Sequence, residues 1–265
     1  MKEYKMILLE KKERYAVITI NRPRVMNCID ITTANEIVDA LNDLDADPEI
    51  FGAILTGAGP KAFCSGDDVN DDWSSMPFNK SMAMRAATLP RQKMLTRIEE
   101  YSYPVIAAIN GYCLGGGVNL ALACDMRIAS ENATFAMSEL RLGFQDDWGG
   151  NKRLVTCVGE SKAKEIYFTG KRYKAQEAKE MGLVGSVVPQ EELLSAAEDL
   201  MKQCLRNAPI ATKLTKLAIR CGRDMTLQGM MEMETMMDGI VIQSKDLDEG
   251  LKAFFEKREP KWTNY

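Results

Sequence analysis

The sequence predicts an α/β fold with a helical C-terminal part. Short apolar runs alternate with helical patterns through most of the chain, and the last quarter is almost entirely helical in period. A strand, a helix and a second strand in succession form a βα unit, whose crossover is right-handed by rule. We therefore expect an α/β core over residues 1–189 and a helical oligomerisation region over residues 190–265.

The individual elements follow from local signals. Residues 5–20 predict a β-hairpin, and Asp30 can cap a helix that begins at Ile31. Apolar runs predict strands at 52–55, 104–109, 124–129 and 184–188. Helical patterns cover 82–100, 161–169, 175–181, 190–207, 209–220 and 227–243. The methionine-rich pattern at 227–243 is apolar on several faces, which indicates burial between subunits as well as against the core.

Composition and charge narrow the class of protein. The 265 residues are 46% hydrophobic and 27% charged, which is ordinary for a soluble globular chain. A net charge of -4 argues against nucleic acid or an anionic membrane as partner. The sequence has no apolar run of membrane-spanning length, and its charged N-terminus is unlike a secretory leader. We expect a cytoplasmic protein with no membrane or nucleic-acid partner.

The chain contains no histidine and seven cysteines. The lack of histidine removes Ser-His-Asp and Cys-His nucleophilic machinery, together with the usual zinc sites. The cysteines form no CxxC pair and no zinc spacing, so we expect buried thiols and no metal. Gly57-Ala58-Gly59 lacks the third glycine of a dinucleotide motif. Any proton transfer must therefore fall to carboxylates, tyrosine, lysine or cysteine.

A glycine-rich turn lies at the centre of the chain. Gly115, Gly116 and Gly117 stand between the strand at 104–109 and an apolar helical segment at 118–123. Three glycines leave the backbone uncovered, so a ligand can approach it closely. The free N–H groups at a helix start favour an anionic or carbonyl oxygen. A tight packing turn is the alternative.

Segments on both sides of this turn extend the pattern. Upstream, Ala62-Phe63-Cys64-Ser65-Gly66-Asp67-Asp68 predicts a second small-residue turn. Downstream, Phe135-Ala136-Met137-Ser138-Glu139 precedes the acidic pair Asp146-Asp147. In this order and spacing, from Asn21-Arg22-Pro23 to Phe255-Glu256-Lys257-Arg258, they resemble the crotonase (enoyl-CoA hydratase/isomerase) superfamily. The resemblance implies a crotonase-like spiral core of repeated ββα units, a helical C-terminal trimerisation part, and a homotrimer or a hexamer that is a dimer of trimers.

The resemblance also implies a thioester site. The backbone N–H groups of Asp67 and Gly116 would form an oxyanion hole, and a Cβ at Gly116 would intrude on the ligand. An aspartate at the first of these positions is unusual, since its carboxylate would repel an enolate unless it points away. Coenzyme A would be part of the substrate, with no separate cofactor. The implied contacts to coenzyme A or the acyl group come from Arg24, Ala62, Cys64, Asp68, Leu114, Gly115 and Trp148.

Aromatic residues in the loops and charged residues near the C-terminus complete the implied site. Trp73, Phe144 and Trp148 indicate a bulky or cyclic pocket wall, although packing is equally compatible with them. The resemblance places Lys252, Phe254 and Lys257 where relatives close over the coenzyme A of a neighbouring subunit. None of these residues identifies the acyl chain.

The candidate catalytic residues are Glu139, Asp147 and Asn119. Family hydratases carry two glutamates, but the first of those positions is Asn119 here, and an amide cannot exchange a proton at neutral pH. Asp147 follows Glu139 at the spacing that dienoyl-CoA isomerases use. The sequence therefore slightly favours an isomerase that shifts a double bond over a lyase that adds or eliminates water with Glu139. Further alternatives are a hydrolase or dehalogenase with Asp147 as nucleophile, an inactive acyl-CoA-binding paralogue, and a solvated acidic loop at 146–147.

Overall fold

The structure is a computed structural model that describes residues 3–68 and 80–265. Its strands are β1 (Ile7–Lys11), β2 (Ala16–Ile20), β3 (Ala53–Gly57), β4 (Ala62–Cys64), β5 (Val105–Ile109), β6 (Tyr112–Leu114), β7 (Met126–Ser130), β8 (Thr134–Ala136), β9 (Tyr173–Lys174) and β10 (Ser186–Val188). Its α-helices are α1 (Ile31–Asp45), α2 (Lys80–Glu100), α3 (Gly116–Ala123), α4 (Gly150–Val158), α5 (Glu160–Thr169), α6 (Ala175–Glu180), α7 (Leu193–Cys204), α8 (Pro209–Gly222), α9 (Leu227–Val241) and α10 (Lys245–Glu256).

The main sheet has the strand order β1-β2-β3-β5-β7-β10. β1 and β2 form the antiparallel hairpin that the sequence predicts, and every later pair in this sheet is parallel. A parallel sheet covered on both faces is made of nearly continuous apolar strands. β5 follows this rule, because all of its residues are buried. The predicted α/β class is therefore confirmed.

A second sheet has the order β4-β6-β8-β9. Its first three strands each follow a main-sheet strand after a short connection, so the pairs β3–β4, β5–β6 and β7–β8 each lead into a helix. This repetition is the ββα pattern that the resemblance implies. The prediction of a turn at Ala62–Cys64 is wrong, because this segment forms β4 and pairs in parallel with β6. The pairing joins residues about fifty positions apart, so no local signal specifies it.

The helices pack on the main sheet. Asp30 caps α1 as predicted, with the Thr33 N–H donating to Asp30 Oδ1 at 2.6 Å. α7 places Leu193, Ala197 and Met201 in a buried cluster with strand residues that include Ile54. The first helix after residue 189 therefore covers one face of the main sheet. The boundary between residues 189 and 190 stays a prediction.

The last helices carry large apolar side chains on their surfaces. Met236 of α9 is 76% exposed, and Phe254 and Phe255 of α10 are 76% and 78% exposed. Such a surface is typical of a protein–protein contact. The homotrimer or hexamer stays a prediction. Within the two described ranges, no helix combines the length and apolar composition needed to cross a membrane.

Candidate active site

A cavity of about 390 Å³ lies where β4 and β6 end and α3 begins. Four segments line it: the loop after β4, the turn from β6 into α3, the 3-10 turn Glu139–Leu142, and the loop before α4. The predicted site residues found in its wall are Asp67, Asp68, Leu114, Gly115, Gly116, Asn119, Glu139, Asp147 and Trp148. A larger cavity of about 720 Å³, between α8 and the core, contains none of them.

Glycines bring the two predicted oxyanion-hole donors together. Gly66 has φ +101°, and a Cβ there would lie 3.2 Å from the backbone nitrogen of Gly116. The loop that carries Asp67 therefore lies directly against the start of α3. The N–H of Gly116 belongs to the first turn of that helix, where backbone donors have no intrahelical acceptor. The two predicted donors therefore belong to adjoining segments of the cavity wall, and their role as an oxyanion hole stays a prediction.

The resemblance implies that a Cβ at Gly116 would intrude on the ligand, whereas in the structure its nearest neighbour would be the side chain of Trp148. A Cβ at Gly116 would lie 2.6 Å from Cζ3 of Trp148, so it would meet the indole ring. Trp148 is 4% exposed and also lines the cavity. The absence of a side chain at Gly116 therefore lets the ring pack against the oxyanion turn.

Glu139 lies at the start of its 3-10 turn with one oxygen deeply buried. Among the described residues, no group hydrogen-bonds to its buried Oε2. The pKa of the Glu139 carboxyl is raised to about 7, mainly by burial and to a smaller extent by the nearby charges of Asp146 and Asp147, against the lowering effect of backbone hydrogen bonds. Its other oxygen, Oε1, would be 2.7 Å from a Cβ at Gly115. Glu139 is therefore held beside the glycine turn with a proton affinity suited to neutral pH.

Asp146 is a buried residue of this site to which the sequence assigned no role. Only 6% of it is exposed, so the alternative of a solvated loop is wrong for this carboxylate. Its Oδ1 accepts hydrogen bonds from Asn119 Nδ2 at 2.7 Å and from the Trp148 N–H at 3.0 Å. Its Oδ2 accepts one from the hydroxyl of Tyr167 in α5. Burial, and then the charge of Asp146, raise the pKa of Tyr167.

Asp147 lines the same cavity as Glu139, as the sequence predicts. Helix α2 holds it: Thr88 Oγ1 donates to Asp147 Oδ2 at 2.6 Å, and Gln92 Nε2 donates to its backbone oxygen at 2.6 Å. Asp147 is only half-buried. Its role in proton transfer stays a prediction.

Arginines neutralise the two aspartates beside the oxyanion turn. Arg91 of α2 is 1% exposed, and its Nη2 lies 2.6 Å from Asp67 Oδ1. Similarly, Nη2 of Arg22 lies 2.8 Å from Asp68 Oδ2 and 3.1 Å from Asp30 Oδ2. The Asp67 carboxylate is therefore paired with a cation, which answers the concern that it would repel an enolate. No sequence signal indicated Arg91, because its partner lies in a loop more than twenty residues away.

Three of the predicted coenzyme A contacts lie outside the cavity wall. Arg24 is exposed in the 3-10 turn Pro23–Val25. Ala62 and Cys64 are buried within β4, and burial raises the pKa of the Cys64 thiol to about 12. Trp73 lies outside the described residues, whereas Phe144 does line the cavity. Their contacts with coenzyme A stay predictions. Across the residues that are described, no group of three or more Cys, Asp or Glu side chains is arranged to hold a metal.

Comparison with known proteins identifies the family. The enoyl-CoA hydratase/isomerase family model matches residues 10–265. The chain is 38% identical over 253 residues to a short-chain-enoyl-CoA hydratase of Clostridium acetobutylicum, covering 96% of this chain and 95% of the relative. It is also 38% identical over 256 residues to a crotonyl-CoA hydratase of Syntrophomonas wolfei, covering 97% of each.

A solved structure agrees with these relatives. The enoyl-CoA hydratase of Bacillus anthracis matches with a TM-score of 0.93 and 37% identity, over 98% of this chain and 100% of that one. The chain belongs to the enoyl-CoA hydratase/isomerase family, and it has the crotonase fold that the sequence predicts.

Proposed function

We propose that this protein adds water reversibly to a 2-enoyl-CoA thioester, with Glu139 as the acid–base group. The observation that carries the proposal is the buried Glu139 carboxyl, whose pKa is raised to about 7. A group with this pKa can both accept and return a proton near neutral pH. The relatives are named as hydratases, which supports water as the second reactant.

The proposed reaction uses the cavity as follows. The N–H groups of Asp67 and Gly116 bind the thioester oxygen, and each such donor is worth about 3–4 kcal/mol of barrier. The Glu139 carboxylate takes a proton from water as the water oxygen bonds to the β-carbon. The π electrons of the double bond move onto the thioester as an enolate. Glu139 then returns the proton to the α-carbon, which restores its carboxylate and completes the addition of one water.

Isomerisation is the second candidate, and one observation favours it. Asp147 lines the same cavity as Glu139 and is fixed by Thr88, so a second carboxylate is available for a proton shift along a conjugated chain. The names of the relatives do not support the preference for isomerisation that the sequence suggested. Hydration is therefore the first proposal. For either reaction we propose an acyl-CoA substrate, no separate cofactor, and a homotrimer or hexamer assembled through α9 and α10.

The test is a direct comparison of substrates. Purified protein and its Glu139→Gln variant are incubated with a 2-enoyl-CoA and with a conjugated dienoyl-CoA, while ultraviolet absorbance and product mass are followed. We expect the wild type to add 18 Da to the enoyl thioester, and we expect the variant to lose at least about 100-fold in rate. Turnover of the dienoyl-CoA alone, without a mass change, would replace hydration by isomerisation. Turnover of neither would indicate an inactive binding protein.

A further inference from the structure

Asp146 is a buried carboxylate that the proposed reaction does not use. It comes from the loop before α4, and its buried carboxylate contacts helices α3 and α5. Its hydrogen-bond donors are the Asn119 side chain of α3, the Trp148 backbone and the Tyr167 hydroxyl of α5. A buried charge is costly unless it is well paired. A carboxylate that accepts three hydrogen bonds meets this condition.

These bonds fix the orientation of the Asn119 amide. A carboxylate is an acceptor only, so Asn119 must turn its Nδ2 towards Asp146, and their distance is 2.7 Å. The other end of the amide is then an acceptor. Asn119 Oδ1 is buried and has no donor among the described residues, while Asn119 itself lines the cavity. The amide thus offers an acceptor that a water with a proton to donate could use.

A missing side chain at Gly150 makes this pair possible. A Cβ at Gly150 would lie 1.9 Å from Asn119 Oδ1 and 2.0 Å from Asp146 Oδ2. Real Cβ atoms do not come this close to an oxygen, so any other residue would push the pair apart. The first helical residue of α4 therefore leaves the space in which Asn119 and Asp146 meet.

Asp146 also acts electrostatically on Glu139. Its negative charge is one of the two that raise the pKa of Glu139, the other being Asp147. Tyr167 is the titratable group that faces Asp146 from α5. Family hydratases place their second carboxylate at the position of Asn119. In this chain the residue at that position is the amide Asn119, which donates a hydrogen bond to the Asp146 carboxylate.

We propose that Asp146 is a positioning residue for the reaction at Glu139. It holds Asn119 so that Oδ1 accepts a hydrogen bond from the reacting water, and it places a second negative charge beside Glu139. The site thus keeps two carboxylates although residue 119 is an amide. This inference rests on the proposed hydration for the role of the water, whereas the charge placement does not depend on the reaction.

The experiment compares Asp146→Asn with Tyr167→Phe. Asp146→Asn keeps the shape of the side chain but removes its charge and presents an amide to the Asn119 amide. Tyr167→Phe is the matched control, because it removes one donor of the same network and leaves the charge. Carbon-13 NMR of the glutamate carboxyls, with the Glu139 signal assigned by Glu139→Gln, gives the pKa of Glu139 in each protein. Steady-state kinetics with a 2-enoyl-CoA give kcat and KM.

In Asp146→Asn we expect the Glu139 titration to move to lower pH, because a neighbouring negative charge is gone. We expect kcat to fall about 100-fold through the misplaced amide, with little change in KM. In Tyr167→Phe we expect the Glu139 titration to stay at its wild-type position. A purely structural role would lower the melting temperature of both variants and leave the Glu139 titration unmoved in both, which would overturn the inference.

Two further results separate this inference from the proposed function. If the wild type hydrates no enoyl-CoA and Asp146→Asn still shifts Glu139, the proposed function fails and the charge placement stands. If the wild type is a hydratase and Asp146→Asn matches it in kcat and in the Glu139 titration, the inference alone fails. Gly150→Ala provides a second variant if Asp146→Asn does not fold, since it keeps both side chains and separates them. Wild-type turnover in Gly150→Ala would also refute the positioning role.

Discussion

Replacing Glu139 by glutamine should remove the loss of stability that the wild type undergoes as pH rises, while it lowers turnover at least about 100-fold. The folded chain holds the Glu139 carboxyl with a pKa of about 7, compared with the ordinary value of 4.5. As pH rises through this window, the unfolded chain loses the proton first. The unfolded state therefore binds fewer protons than the folded state, and the free energy of unfolding falls with pH. Above about pH 7 the loss is complete.

The size of the effect follows from the two pKa values. Each pH unit of difference between them is worth about 1.4 kcal/mol, so the wild type loses about 2–3 kcal/mol through this group between pH 5 and pH 8. Glutamine does not ionise and avoids that loss. Its amide must find partners where Oε2 has none, which costs about 1–3 kcal/mol at every pH. This cost is the same at both pH values, so it cancels when the stability difference between the variant and the wild type at pH 8 is compared with that at pH 5.

The assay is thermal unfolding of the wild type and Glu139→Gln at pH 5 and at pH 8. For a chain of this length, 1 kcal/mol shifts the melting temperature by about 2–4 °C. The melting temperature of the variant minus that of the wild type should therefore be several degrees larger at pH 8 than at pH 5. Glu131→Gln, at an exposed position, is the control and should show no such gain. Equal pH dependence in Glu139→Gln and the wild type would refute the raised pKa. Consistently, kcat/KM of the wild type should rise with pH and level off above about 7, because the reacting form is the carboxylate.

The remaining predictions concern the rest of the cavity wall. Asp147→Asn should cost 2-enoyl-CoA hydration less than about 10-fold, whereas a loss of 10²- to 10⁴-fold, typical of a removed acid–base group, would restore the isomerase reading. Gly116→Val should lower the melting temperature as well as turnover, because its Cβ would meet the Trp148 ring at 2.6 Å, and overpacking costs about 1–3 kcal/mol; an unchanged melting temperature would contradict this packing. Arg91→Met should reduce kcat by about 10-fold or more, since the positive charge that Arg91 places against the Asp67 carboxylate beside the oxyanion turn is then gone. The double change Arg91→Met with Asp67→Asn should recover part of that loss, and equal rates in the single and double variants would count against the role of the ion pair.

The sequence alone determined the elements whose signals are local. A short continuous stretch of sequence specifies each of three features: the buried strand at 104–109, the capping of α1 by Asp30, and the glycine turn before α3. Apolar runs, cap residues and glycines act on the backbone within a few positions, so their effect is readable without a partner. The order and spacing of the glycine turn and Glu139 also indicated the family, which the comparisons confirm.

Tertiary structure alone decided which distant residues meet. β4 is a strand only because β6 pairs with it, and Arg91 matters because α2 packs it beside Asp67. The sequence around Asp146 is compatible with a solvated loop. In the structure, Asn119 and Tyr167, which are 27 and 21 positions away, donate hydrogen bonds to its buried carboxylate. Burial and pairing of a charge depend on what several elements place around it, and no short stretch of sequence contains that information. The residues of the cavity were therefore largely predictable, whereas the charge pairing that supports them was set by the packing of the helices.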